Sequence, residues 1–241
     1  MKLESFGATD IGLVRLNNED VWAQMPKERF FVLADGMGGH NAGEIAANET
    51  VRLLCDYVKE AHKNPHTTQE WLDILDQGVQ KVNTSIFQLA LKNKALEGMG
   101  TTLCFILIQN SSLIYGHVGD SRIYRLRKGR LTQLTHDHSL KGELIAKGKL
   151  DESRAASFPK NVITRAIGTA PTVTPDIDFL PIELGDLYFL CSDGLTDVLS
   201  NAQIQEILEE SSNIQTASKN LILAANQKGG IDNITILIIK I

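Results

Sequence analysis

An α+β fold, with antiparallel sheets covered by helices, is what this 241-residue sequence predicts. Three observations carry the expectation. Short apolar runs arrive in pairs joined by turn residues, as hairpins do. Helical patterns are grouped between those pairs, whereas a parallel sheet needs regular alternation of strand and helix. Finally, 43% apolar against 22% charged residues supply one sizeable core and exclude a disordered or fibrous chain.

The elements follow in order. An acidic pair, Glu19-Asp20, precedes a strand candidate at Val21-Trp22. Phe30 to Ala34 is an aromatic and β-branched run that stops at Asp35-Gly36, a strand followed by a turn. A helix runs from about Gly43 to His62. In the next helix Leu72, Leu75, Val79, Val82, Ile86 and Leu89 step by three and four, which marks a core-facing stripe, and Thr67 with Glu70 forms a capping box at its start. Thr102 to Gln109 and Ser112 to Val118 make a hairpin around Asn110-Ser111. Ser121 to Leu126 and Arg130 to Leu134 make another around Lys128-Gly129. Ser139 to Lys149 is helical and the polar stretch to Asn161 is a surface excursion, so residues from about 140 to 162 form a flap on a single domain spanning 1–241. Leu187 to Cys191 is a strand ending at Ser192-Asp193-Gly194. Helices at about 202–210 and 214–227 and a strand from Ile234 to Ile239 close the chain.

Composition narrows the function. Twenty-four Lys and Arg against 29 Asp and Glu give a net charge of −5, with no basic footprint for nucleic acid or anionic lipid. The opening Met1 to Phe6 has no apolar signal segment, and the longest apolar runs, Leu103 to Ile108 and Ile236 to Ile239, fall far short of the roughly 20 residues of a membrane span. Cys55, Cys104 and Cys191, widely spaced in apolar surroundings, read as reduced core residues. A soluble cytoplasmic protein with no nucleic-acid or membrane partner is expected.

The chemistry lies in acids at strand ends. Apolar strands deliver Asp35, Asp120 and Asp193 at their ends, and Asp232 stands just before the last strand. One such Asp is an ordinary turn residue. As a set they are a site, because strands can hold acids at converging points. Carboxylates gathered within a few ångström repel by about 4 kcal/mol per pair near a protein surface, a cost that cations remove. An all-oxygen set without Cys or obligatory His ligands suits Mg²⁺ or Mn²⁺.

The same residues carry a resemblance. Arg15-Leu16-Asn17-Asn18-Glu19-Asp20, Asp35-Gly36-Met37-Gly38-Gly39-His40 with Ala42-Gly43-Glu44, and Gly98-Met99-Gly100-Thr101-Thr102-Leu103 resemble the metal-dependent serine/threonine protein phosphatases of type 2C, in their compact bacterial form. Gly119-Asp120-Ser121-Arg122, Thr164-Arg165-Ala166-Ile167-Gly168, Ser192-Asp193-Gly194-Leu195 and Asp232-Asn233-Ile234-Thr235 continue the match in the family's order. The resemblance implies two stacked antiparallel sheets flanked by helices, an α-β-β-α sandwich, with metals at one edge. It implies that Asp35 bridges two ions, that the Gly36 carbonyl ligates one, and that Asp193 and Asp232 complete the first ion's shell. Glu19 and Asp20 would act through bound waters, and Asp120 with Asp193 would hold a third, weaker ion. The implied reaction is hydrolysis of phosphoserine and phosphothreonine by a metal-bridging hydroxide, without a phosphoenzyme, while Arg15 grips the phosphate through its bidentate fork. Phosphorylated proteins, including a serine/threonine kinase or its targets, are the implied partners, and a monomer is expected. A catalytically silent phosphoprotein-binding module of the same fold is the alternative. A nucleotide-cleaving enzyme would lack the Walker-type phosphate loop.

One departure stands out. Eukaryotic relatives carry a His directly after the first Asp-Gly as a proposed general acid; here it is Met37, and a thioether delivers no proton. A metal-bound water near Asp120 is the first replacement, His40 the second. Weaker signals have structural readings. His136-Asp137-His138 starts a helix, Arg122 pairs with and orients the acids, Thr101 and Thr102 satisfy backbone near the site, and Arg165 either packs or adds positive potential over the phosphate.

Overall fold

Along the strand that begins at Phe30, Phe30, Val32 and Ala34 pack under helices while Phe31 and Leu33 face a second sheet. Both faces are dry, which is why this strand reads as one continuous apolar run rather than as an alternation. The computed structural model describes residues 3–38, 42–149 and 162–241. Its elements are β1 (Glu4–Asp10), β2 (Asp20–Met25), β3 (Phe30–Met37), α1 (Ala42–Ala61), α2 (Thr68–Lys92), β4 (Gly100–Thr101), β5 (Leu103–Gln109), β6 (Ser112–Val118), β7 (Arg122–Arg127) and β8 (Arg130–Gln133). Then come α3 (Leu140–Ala146), β9 (Asp176–Pro181), β10 (Leu187–Cys191), a short α4 (Asp193–Thr196), α5 (Asn201–Glu210), α6 (Ile214–Gln227) and β11 (Ile234–Lys240).

One sheet has the order β1-β11-β10-β7-β8; the other has β2-β3-β5-β6-β9, with β4 paired to β3. Every pairing is antiparallel. Three apolar layers result. Leu237 and Ile239 meet Leu33 and Ile106 between the sheets; Ile236 and Ile238 turn outward under α5 and α6; α1 lies on β3, and Leu75, Val79, Val82 and Ile86 of the α2 stripe join the same core beside α1, over β6 and β9. This is the sandwich flanked by helices that the motifs implied, and the α2 capping box is formed by Thr67 and Glu70 as predicted. No helix among the described residues is long and apolar enough to cross a membrane.

Some expectations are corrected. Asp35-Gly36 is not a turn. β3 continues to Met37, with Asp35 opposite Asp20 and Gly36 opposite Thr101, because a second partner, β4, extends the ladder. β1 and β9 gave no signal, since both are edge strands with largely half-exposed residues and little apolar contrast. The first helix of the flap stops at Ala146, and most of the flap lies outside the described residues. Cys104 and Cys191 are buried thiols, but Cys55 is only partly buried.

Candidate metal centre

The strand ends place the acids. Asp20 opens β2 and is paired across to Asp35 on β3. Asp120 follows Gly119 in the turn after β6, Asp193 opens α4 directly after β10, and Asp232 precedes β11. Two close approaches draw these segments together. A Cβ at Gly36 would strike the carbonyl of Gly43, so only glycine lets the start of α1 sit on β3; a Cβ at Gly194 would strike the carbonyl of Asn233.

The result is a pocket of about 490 Å³ lined by Asp35, Asp120, Asp193, Asp232 and Glu19, with Arg15 on its wall and the Gly36 backbone in its floor. Met37 lines it where the eukaryotic relatives carry a His. Asp20 lies just beneath, buried: its Oδ2 accepts from Ser192 Oγ at 2.7 Å, while Oδ1 has no hydrogen-bond partner. His40 lies outside the described residues.

Backbone groups around the acids are satisfied by short polar side chains. Asp35 N–H donates to Thr102 Oγ1 (2.9 Å), and its carbonyl accepts from Thr101 Oγ1 (2.8 Å) and from Thr102 N–H (2.8 Å). Asn233 ties three segments together: its Nδ2 donates to the carbonyls of Ile11 (2.9 Å) and Asn17 (3.0 Å), and its Oδ1 accepts from Glu19 N–H (2.9 Å). Ser192 Oγ accepts from Thr235 N–H as well as donating to Asp20. Ser192 and Asn233 were visible only as neighbours of acids; their roles become legible once the strands are paired.

Electrostatics mark the pocket as incomplete. Burial, then Asp120 and Asp232, push the Asp193 carboxyl up to about 8. Burial, then Asp20 and Asp193, hold Asp35 well above the carboxylate range. Burial also raises Asp20 and Asp120 to about 6. Among the described residues one cation, Arg15, answers from the wall, with Nη2 at 2.7 Å from Asp232 Oδ2. Acids gathered on one pocket, and a buried carboxylate oxygen without a donor, fit a hard divalent cation; the donors are all oxygen.

Among the described residues, Arg122 and Arg165 are committed elsewhere. Arg122 forms a bidentate pair with Asp137 (2.8 and 2.6 Å), not with the pocket acids as expected. Arg165 is paired to Asp176 (2.8 Å) and to the Thr174 carbonyl (3.1 Å). The run His136-Asp137-His138 disperses to separate partners. His136 offers its carbonyl to His117 Nε2 (2.8 Å), while His138 takes Gly119 N–H on Nδ1 (3.2 Å) and meets Asp176 with Nε2 (3.1 Å). His117, His138 and Asp176 thus cluster with ligand-type atoms within 4.8 Å of one another. Burial, then the neighbouring His138, push His117 down to about 4, so these rings serve as neutral packing beneath the Asp120 turn.

The chain is similar to known proteins over nearly its whole length. The family described as Protein phosphatase 2C matches residues 14–227. The serine/threonine phosphatase stp of Listeria innocua is 38% identical over 238 residues, covering 96% of this chain and 93% of that protein. Among solved structures, the S. agalactiae serine/threonine phosphatase has a TM-score of 0.91 at 39% identity, with 100% of both chains covered. The catalytic domain of the serine/threonine protein phosphatase PstP, in complex with two manganese ions, has a TM-score of 0.87 at 36% identity, covering 99% of this chain and 97% of that one.

Proposed function

This chain belongs to the protein phosphatase 2C family and is a protein-serine/threonine phosphatase, and from that premise we propose that phosphate esters are cleaved in the acidic pocket, with residues 1–241 acting as one catalytic domain. One observation carries the reading: Asp35, Asp120, Asp193 and Asp232 line a single pocket with too little positive charge, above a buried Asp20 oxygen that no donor reaches.

Asp35, the Gly36 carbonyl, Asp193 and Asp232 would hold two Mn²⁺ or Mg²⁺ ions, as the manganese-bound relative supports, and Asp120 with Asp193 a third. Bound there, the ions supply charge neutralisation for phosphoryl oxygens and a water acidic enough to attack phosphorus near neutral pH. The chain's own residues do the rest. Glu19 from the pocket lining and Asp20 from beneath it orient waters, and Asn233 fixes Glu19 through its backbone. Arg15 is paired with Asp232 at 2.7 Å on the pocket wall, where its guanidinium fork would take two oxygens of the substrate phosphate. Met37 holds no proton, so the proton for the leaving oxygen comes from a water oriented by Asp120.

The substrates are phosphoserine and phosphothreonine in cytoplasmic proteins, including a serine/threonine kinase or its targets, and the chain works as a monomer. No acid of the set is missing, which speaks against a silent binding module. The test is Mn²⁺-dependent phosphate release from a phosphothreonine peptide by the wild type and by Asp35→Asn. Turnover that vanishes in the variant and without Mn²⁺ supports the reading; absence of turnover, or turnover untouched by the substitution, overturns it.

A further inference from the structure

The pocket wall that carries Arg15 is apolar on its outer side. In the loop between β1 and β2 Arg15 is flanked by Leu13, Val14 and Leu16, which are 69%, 63% and 98% exposed. The facing loop before β11 adds Ile231, 51% exposed, and across the pocket Val162 is 44% exposed on the lining. The β1–β2 loop is no loose tip. Leu13 N–H donates to the Gly230 carbonyl at 2.7 Å, a Cβ at Gly230 would come within 2.9 Å of Leu13 Cγ, and Asn233 holds the carbonyls of Ile11 and Asn17. Side chains on a clamped loop are presented rather than stranded, and exposed apolar surface gathered beside a site marks a recognition surface.

What covers it follows from the reading above, on which this inference rests. A protein whose phosphorylated side chain enters the pocket and meets Arg15 must lay its neighbouring residues over the rim. At about 3.3 Å per extended residue, side chains one to three positions away fall within the reach of this wall. The loop 11–16 offers them one charge, Arg15, already committed to phosphate, and otherwise only apolar side chains. Acidic neighbours would also face the pocket's surplus of carboxylates.

We propose that Leu13, Val14, Leu16 and Ile231 form a subsite for apolar side chains flanking the phosphorylated residue, making the enzyme selective for leucine-like neighbours over acidic or small polar ones. The test uses the full chain with Mn²⁺ and two phosphothreonine peptides identical except for Leu or Ser on either side of the phosphorylated residue. Half-burial of one leucine corresponds to roughly tenfold, so the Leu peptide should have about tenfold higher kcat/KM, expressed in KM. In Leu13→Ser/Leu16→Ser, checked for an unchanged melt, the ratio should fall towards one. Equal kcat/KM for the two peptides in the wild type overturns the proposal without any variant, as does a ratio that survives the double substitution. A wild-type dimer in sedimentation that the double variant dissociates, with the peptide ratio unaltered, assigns the patch to a second copy and also overturns it. Release from neither peptide fails the phosphatase reading itself, and this proposal with it.

Discussion

β10 has an aspartate just beyond each end, Asp186 buried and Asp193 half-buried on the pocket, and the protein treats the two in opposite ways. At one end Asp186, just before Leu187, accepts two bonds from Arg127 (2.6 Å each), one from Tyr188 Oη (2.6 Å) and one from Glu183 N–H (2.8 Å). Burial alone would push its carboxyl up, yet the Arg127 and Tyr188 hydrogen bonds outweigh that and hold it below the carboxylate range. At the other end, five residues of strand away, Asp193 has other carboxylates for neighbours and stands far above it. The same strand leads to both. An acid whose bonding the chain completes is part of the structure; one whose bonding it withholds is kept for something that arrives from solution.

Substitution at the two ends breaks the comparison most directly. Asp193→Asn should lower phosphate release by on the order of 10³-fold or more, the scale seen when a transition-state charge partner is lost. Without cations it should melt no lower than the wild type, because a repelling carboxylate has been removed. Asp186→Asn should do the reverse. Turnover stays within about threefold, and stability falls by about 2–3 kcal/mol for the lost charged hydrogen bonds, a drop of roughly 5–10 °C in a domain of this size. Comparable turnover losses in the two variants would dissolve the distinction.

Ion binding sharpens it next. Ions that bind only the folded chain stabilise it by about 2.7 kcal/mol at 100 times their dissociation constant, so Mn²⁺ should raise the melting temperature and EDTA should reverse the rise. Asp186→Asn should keep that increment and Asp35→Asn should lose it. A melt indifferent to Mn²⁺ would mean that the crowded end is stabilised in some other way.

How much of this the sequence disclosed follows from the physics of each feature. β3, β5, β6, β10 and β11 were legible because both of their faces are dry and the runs are unbroken. The edge strands β1 and β9 were not, since a half-wet strand of mixed composition has no pattern of its own. The aspartates lining the pocket stood out because each stands at one end of an apolar run. The satisfied Asp186 did not, although it is more deeply buried than Asp193: Tyr188 lies two residues along the chain, but Arg127, which supplies two of its bonds, is brought to it by strand pairing that no local window contains. The same limit misled the reading of Arg122, whose partner Asp137 arrives from beyond β8.

The smallest effect is the pH dependence of the satisfied end, and its sign is fixed. The Asp186 carboxyl has a lower pKa in the folded chain than in the unfolded one, so between those two values the unfolded chain binds more protons. Its contribution is therefore whole above the ordinary carboxylate range and is lost as pH falls through the folded value. Melts of wild type and Asp186→Asn, both in EDTA, should stay separated from pH 7 down to about 4 and then converge as the wild-type carboxylate is protonated. A gap that stays constant to pH 3 would mean that Asp186 works by shape and neutral hydrogen bonding, and the contrast between the ends of β10 would then lie in packing rather than in charge.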